Sequence, residues 1–154
     1  MQENIALVQN GFRILLPDMA GYICRELSRV YKNSWWQEVL TALSDQYDLP
    51  SSGEYAELQD SLDVANCLRL IDRRWNSKLS KDYRTWATEL MGVRNKVAHL
   101  GMQDIAQADA ERALDTMARL CDGFDSDGAE EIRALYRKLR YGSEDASTSS
   151  APAK

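Results

Sequence analysis

Apolar residues recur at intervals of three and four along nearly the whole of this chain, and that period belongs to helices rather than to strands. Ile5, Val8, Phe12 and Leu15 make one stripe, and Met19, Ile23, Leu27 and Val30 continue it past Pro17. Pro17 therefore either kinks one long helix or starts a second. Ser34 and Gln37 have the spacing of a capping box, opening a helix with Trp36, Val39, Leu40 and Leu43 toward the core and fading near Tyr47. Residues 49–53 are rich in helix breakers and read as a loop within the domain. Val64, Leu68, Ile71 and Trp75 give the next amphipathic face, and residues 76–80 a second connection. A helix from about Lys81 to His99 places Trp86, Leu90, Val93 and Val97 on one side, with Ser80 as its N-cap and Leu100-Gly101 as its end. Two more follow, with Ala110, Leu114, Met117 and Cys121 inward in one and Ile132, Leu135, Tyr136 and Leu139 in the other, the latter capped by Asp127 and Glu130. The pattern predicts an all-α fold over residues 1–142 as one domain. Residues 143–154 hold no large apolar side chain and are expected to form a disordered tail or an interdomain linker.

At 154 residues the chain is long enough for one buried core and short for two. Its formal net charge of -5 gives no general attraction for nucleic acid, so any basic surface must be local. One stretch qualifies. Between Arg69 and Lys96 the basic residues Arg69, Arg73, Arg74, Lys78, Lys81, Arg84, Arg94 and Lys96 outweigh Asp72, Asp82 and Glu89. Arg69, Arg73, Arg74 and Lys96 are the candidate RNA-phosphate contacts, and the blander alternative is a solvated helix face with Asp72 paired to an arginine. Cys24, Cys67 and Cys121 are far apart, show no C-x-x-C spacing and sit beside aliphatic neighbours, which predicts reduced core thiols. With a single histidine the chain has too few soft ligands for zinc, and no Gly-rich phosphate loop is present, so neither a metal nor a cofactor is expected. The start Met1-Gln2-Glu3-Asn4 lacks a basic signal-peptide region, and no apolar run has membrane-spanning length. A cytoplasmic protein without a membrane partner is expected.

The residue types that carry chemistry at neutral pH converge near the end of the predicted helix from Lys81 to His99. Each residue of an ideal helix turns about 100°, so Asn95 and His99 share a face opposite the stripe of Trp86, Leu90, Val93 and Val97. Arg94 lies on the flank beside Ala87, Met91 and Ala98, a strip with more nonpolar surface than one core contact uses, which predicts a second contact with another copy of the chain. Taken alone, a lone histidine is more often an incidental surface or structural residue. Arginine offers a permanent planar charge for phosphate, and imidazole serves as acid or base near neutrality.

The segment Glu89-Leu-Met-Gly-Val-Arg94-Asn95-Lys-Val-Ala-His99 resembles the Arg-Asn-x-x-x-His signature of the HEPN superfamily. Residues 64–75, ending Leu-Arg-Leu-Ile-Asp-Arg-Arg-Trp, and 110–120, with Arg-Ala-Leu-Asp-Thr-Met-Ala-Arg-Leu, resemble the HEPN subtype at the amino terminus of large bacterial ATPases and in a eukaryotic RNA-surveillance nuclease. The likeness spans roughly residues 12 to 140. It implies an antiparallel HEPN-like helical bundle with additional N-terminal and C-terminal helices. It further implies a metal-independent endoribonuclease with Arg94, Asn95 and His99 as catalytic residues, and a composite site across a homodimer through Ala87, Met91 and Ala98. The wider context it implies is bacterial antiviral defence, with an ATPase or helicase domain in the same or a neighbouring chain. His99 is followed by Leu100-Gly101, without the tyrosine that marks HEPN toxins modified by a nucleotidyltransferase antitoxin, which argues against that mode of control. Two other readings compete: a noncatalytic dimerising or RNA-binding module of a larger protein, and a helical scaffold in which the motif is accidental.

Overall fold

In the computed structural model, which describes residues 3–43, 48–74, 81–124 and 127–150, the side chains of Arg74, Lys81 and residues 143–150 are outside the description. The elements in chain order are α1 (Glu3–Tyr31), a 3-10 turn (Lys32–Ser34), α2 (Trp35–Leu43), α3 (Tyr55–Asp60), α4 (Val64–Arg74), α5 (Lys81–His99), α6 (Gln107–Gly123) and α7 (Gly128–Ser150). No strand occurs among the described residues, and the all-α expectation holds. Pro17 neither ends α1 nor starts a second helix. It lies exposed inside a continuous 29-residue helix, on a side where water can satisfy the carbonyl that its missing N–H leaves open. Tyr47, Trp75 and Ser80, together with the connection at 76–80, lie outside the described residues. The backbone of α7 continues past Gly142, where the tail was expected to begin, to Ser150; residues 151–154 lie outside the description.

The chain forms two compact units, Met1–Leu15 with Asn95–Lys154, and Leu16–Arg94. In the first unit α6 and α7 pack along each other. Ala110, Ala113, Leu114, Met117, Leu120 and Cys121 of α6 are buried at the helical period, as is Ile132 of α7. Asp104 ties the loop after α5 to the start of α1, its carboxylate accepting from the backbone N–H groups of Asn4 at 3.1 Å and Ile5 at 2.8 Å. Partial desolvation works to raise its pKa, but the N–H donors of Asn4, Ile5 and Ile105 outweigh it and hold the carboxyl below its usual value. Gly11 marks a close approach of α1 to α6: a Cβ there would stand 2.7 Å from Leu114 Cδ2 and from Met117 Sδ. Alanine is the better helix former, but both neighbours are fully buried and have little room to retreat. Gly11→Ala is expected to lower stability by roughly 1–2 kcal/mol in a denaturant titration; a gain in stability would show that the two side chains give way freely.

In the second unit α2 packs on α4. Trp36, Val39 and Leu43 are buried as expected, Leu40 half-buried. Trp35 is buried too, in an edge contact with Trp36 at 5.5 Å and a tilted one with Tyr55 at 5.2 Å. The capping box expected at Ser34 does not form. Ser34 ends the 3-10 turn instead and its hydroxyl donates back to the Tyr31 carbonyl at 2.8 Å. A reciprocal cap opens α4, where the Asp63 carboxylate accepts from the Asn66 N–H at 2.8 Å and the Asn66 side-chain oxygen from the Asp63 N–H at 2.9 Å.

All three cysteines are free and buried, as the sequence predicts. Burial pushes the Cys24 thiol up to about 12 against a lowering by Arg25, and burial, with Cys24 and Asp63 adding to it, raises Cys67 as well. Thiolate is the reactive form, so a thiol reagent is expected to leave all three unreacted in native buffer and to titrate all three in guanidinium. Prompt reaction in native buffer would overturn this. Among the described residues no helix is long and apolar enough to cross a membrane.

Candidate functional site

Helix α5 carries the whole motif, and its two halves differ in cover. Ala87 and Leu90 are buried, at 1% and 0% exposure. From Met91 to His99 no residue is buried: Met91, Val93 and Val97 are half-buried, and Arg94, Asn95, Lys96, Ala98 and His99 are exposed. The helix thus presents more than two turns in which side chains of every chemical type reach solvent. Its stop is physical. Leu100 N–H bonds back to the Val97 carbonyl at 3.4 Å, and Gly101 adopts the left-handed φ of +62°, a conformation that favours glycine at a helix end.

The buried direction differs from the one that the apolar stripe predicts. Trp86, Val93 and Val97 are only half-buried, and the fully covered positions are Leu90 and Ala87, which centres the core side about 60° from the middle of the predicted stripe on an ideal helix. Trp86 lies in a stack with Tyr83 at 5.8 Å. Ala87 belongs to the core, so the strip expected to face a second copy is corrected to Met91 and Ala98. Met102, just beyond the helix, is 92% exposed. Arg94 continues the line of Ala87 and Leu90 at the point where cover ends. Asn95 and His99 lie one turn apart on the outward side, with Gly92 on the same face. Around the helix axis Arg94 and His99 are about 140° apart.

The expected phosphate track is partly committed to structure. Arg73 donates from Nη1 to the Ala42 carbonyl near the end of α2 at 2.6 Å. Lys96 pairs with Asp109 at the start of α6, at 3.2 Å, both side chains about half exposed. Asp72 pairs with an arginine, as the blander reading had it, but the arginine is Arg84 of α5 at 3.4 Å. Arg69 is half-buried with its Nε enclosed and without a hydrogen-bond partner among the described residues. The Arg74 side chain lies outside the description. A cleft lined by Asp72, Arg84, Thr85, Thr88 and Glu89 flanks α5. The Lys96–Asp109 pair was not legible in the sequence, because its members stand on different helices joined by a loop. Among the described residues, no group of three or more His, Cys, Asp or Glu side chains is placed to hold a metal ion.

Compared with known proteins, residues 10–125 match the family model described as Swt1-like HEPN. The matched span contains α2 to α6 whole, with the motif inside it, and leaves out α7. No curated protein and no solved structure matches the chain.

Proposed function

Since the chain belongs to the Swt1-like HEPN family, we propose that it is a metal-independent endoribonuclease acting as a homodimer, with His99, Arg94 and Asn95 at the reacting phosphate. The observation that carries this is the exposure of all three side chains on the uncovered end of one helix. Cleavage needs a base to take the proton of the ribose 2′-hydroxyl, whose oxygen then bonds to phosphorus. It also needs an acid to protonate the 5′-oxygen as the P–O5′ bond breaks, leaving a 2′,3′-cyclic phosphate. Negative charge builds on the nonbridging oxygens, where a guanidinium is the strongest fixed donor.

A single imidazole cannot accept one proton and deliver another in the same step, and the chain has only one histidine. Arg94 and His99 also point to different sides of α5, about 140° apart. A two-fold contact of α5 with α5 supplies both missing parts, setting the arginine of one copy toward the histidine of the other and placing two imidazoles at one cleft. Half-buried Met91 with exposed Ala98 and Met102 gives that contact its apolar surface. Asn95, one turn before His99, orients the imidazole or holds a phosphate oxygen.

The engagement of Arg73 and Lys96 within the fold favours a second reading in part: a noncatalytic dimerising or RNA-binding module serving an ATPase or helicase domain in the same or a neighbouring chain. The nuclease reading places the protein in bacterial antiviral defence, with cleavage held silent until infection. Incubation with mixed RNA without added metal, with analysis of product ends and a light-scattering mass, separates the two. Cyclic phosphate ends from a dimer support the nuclease; a dimer that binds RNA and never cuts it supports the module.

A further inference from the structure

Helix α7 lies beyond the matched span, and nothing in the motif accounts for it. Its middle turns read Arg133-Ala-Leu-Tyr-Arg-Lys-Leu-Arg-Tyr141, four basic residues and no acid in a chain of net charge -5. Ile132 is buried and Leu135 and Leu139 half-buried, which fixes the inward side. Arg133, Arg137 and Arg140 recur at four and three residues on the opposite side, with Tyr141 at its edge. The Arg140 guanidinium stands 5.6 Å from the centre of the Tyr141 ring and donates to the Tyr136 hydroxyl at 3.4 Å. Tyr141 is 44% exposed, one of few large apolar groups in that state among the described residues. The arginines have internal partners: Arg133 with Asp122, Arg137 with Glu130 at 3.0 Å and Arg140 with Glu111 at 3.1 Å. The Arg133–Asp122 and Arg137–Glu130 pairs are open to solvent and hold weakly in water, so a polyanion can displace them, whereas the Glu111 side chain of the third pair is mostly covered.

We infer that the outward face of α7, from Arg133 to Tyr141, is a contact strip for single-stranded RNA, with the arginines on successive phosphates and the Tyr141 ring stacking on a base. The three arginines span about 10 Å along the helix, a reach of one to two nucleotide steps. A protruding aromatic ring beside a guanidinium suits a nucleobase, whose flat face stacks on either. An acidic polypeptide satisfies the charges but leaves the ring unused. The strip deepens the nuclease reading and rests on RNA being the ligand: the motif supplies chemistry, and α7 supplies grip.

The test uses the full chain carrying His99→Ala, in which the proposed cleavage is removed, and a fluorescein-labelled oligouridylate titrated by polarisation over a range of salt. Tyr141→Ser is expected to weaken binding on the order of 5- to 100-fold, and Tyr141→Phe to retain it. Arg137→Gln with Arg140→Gln should lessen the slope of log affinity against log salt by roughly 0.7 for each phosphate contact removed. These side chains are exposed, so circular dichroism should be unchanged, and Arg133→Gln is a further single variant should the pair unfold. If the parent binds RNA and the variants keep its affinity and slope, the strip is overturned while the nuclease reading stands. If the parent binds no RNA at any salt and the unmutated chain cuts none, both fall. Polyglutamate competing as well as RNA, with the same variant dependence, would show a general acidic-partner surface and overturn the RNA assignment.

Discussion

His99→Ala is expected to lower metal-free RNA cleavage by about 10²–10⁴-fold, the usual worth of a positioned proton-transfer group. Arg94→Ala is expected to cost roughly 10²–10³-fold through loss of charge on the phosphorane. Both side chains are exposed on α5, and substitutions at such positions shift stability by about 0.5 kcal/mol or less. Melting temperature and helicity should therefore stay at the parent values while the rate collapses. Arg94→Lys should recover only part of the loss, because an ammonium is a point charge without the planar two-point contact of a guanidinium. Initial rates on a defined single-stranded RNA, with the product ends identified, measure this. Cleavage that persists in both variants at the parent rate, after repurification, would mean either a contaminating nuclease or a site elsewhere, and would end the assignment of this motif.

Ala98→Glu is expected to turn the dimer into a monomer and to reduce cleavage to the level of His99→Ala. A carboxylate on the strip meets its own copy across a two-fold axis, so each contact carries two like charges into an apolar surface, and burying them unpaired costs several kcal/mol. Light-scattering mass and activity should fall together along a dilution series. A composite site adds a sharper outcome. Mixing parent chains with an excess of His99→Ala chains produces mixed dimers that hold one imidazole in place of two, and cleavage should fall well below the share of parent chains in the mixture. A monomeric Ala98→Glu that retains full activity would overturn the shared site while leaving the motif residues in place.

Much of this molecule is legible in its sequence because helices declare themselves locally. The period of three and four located α1, α2, α4, α5, α6 and α7, and the bounds of α5 at Lys81 and His99 were readable from the apolar pattern and from Leu100-Gly101. Some details resisted. Helix α3 opens at Glu54, an uncommon capping residue, with the Glu57 carboxylate accepting from its N–H at 3.1 Å. Its six residues are too few for a period to show. Ser34 had the right spacing for a cap, but it stands as the last residue of the 3-10 turn, where its hydroxyl donates back to the Tyr31 carbonyl. The outward face of α7 was hidden for another reason: an apolar period marks the buried side of a helix, and a polar side has the same composition whether it meets water or a ligand.

The sequence by itself determined the longer helices, the all-α class and the identity of the motif, since each depends on contacts within a turn or two of chain and on residue types that do not change with packing. Only the tertiary structure decided which side of α5 is covered, that Ala87 is core and Met91 and Ala98 are not, and that Arg73 and Lys96 are held by Ala42 and Asp109. Those outcomes depend on which distant segment arrives against a given face. A helical period fixes the angles between side chains on one helix and leaves open the direction from which the rest of the chain approaches.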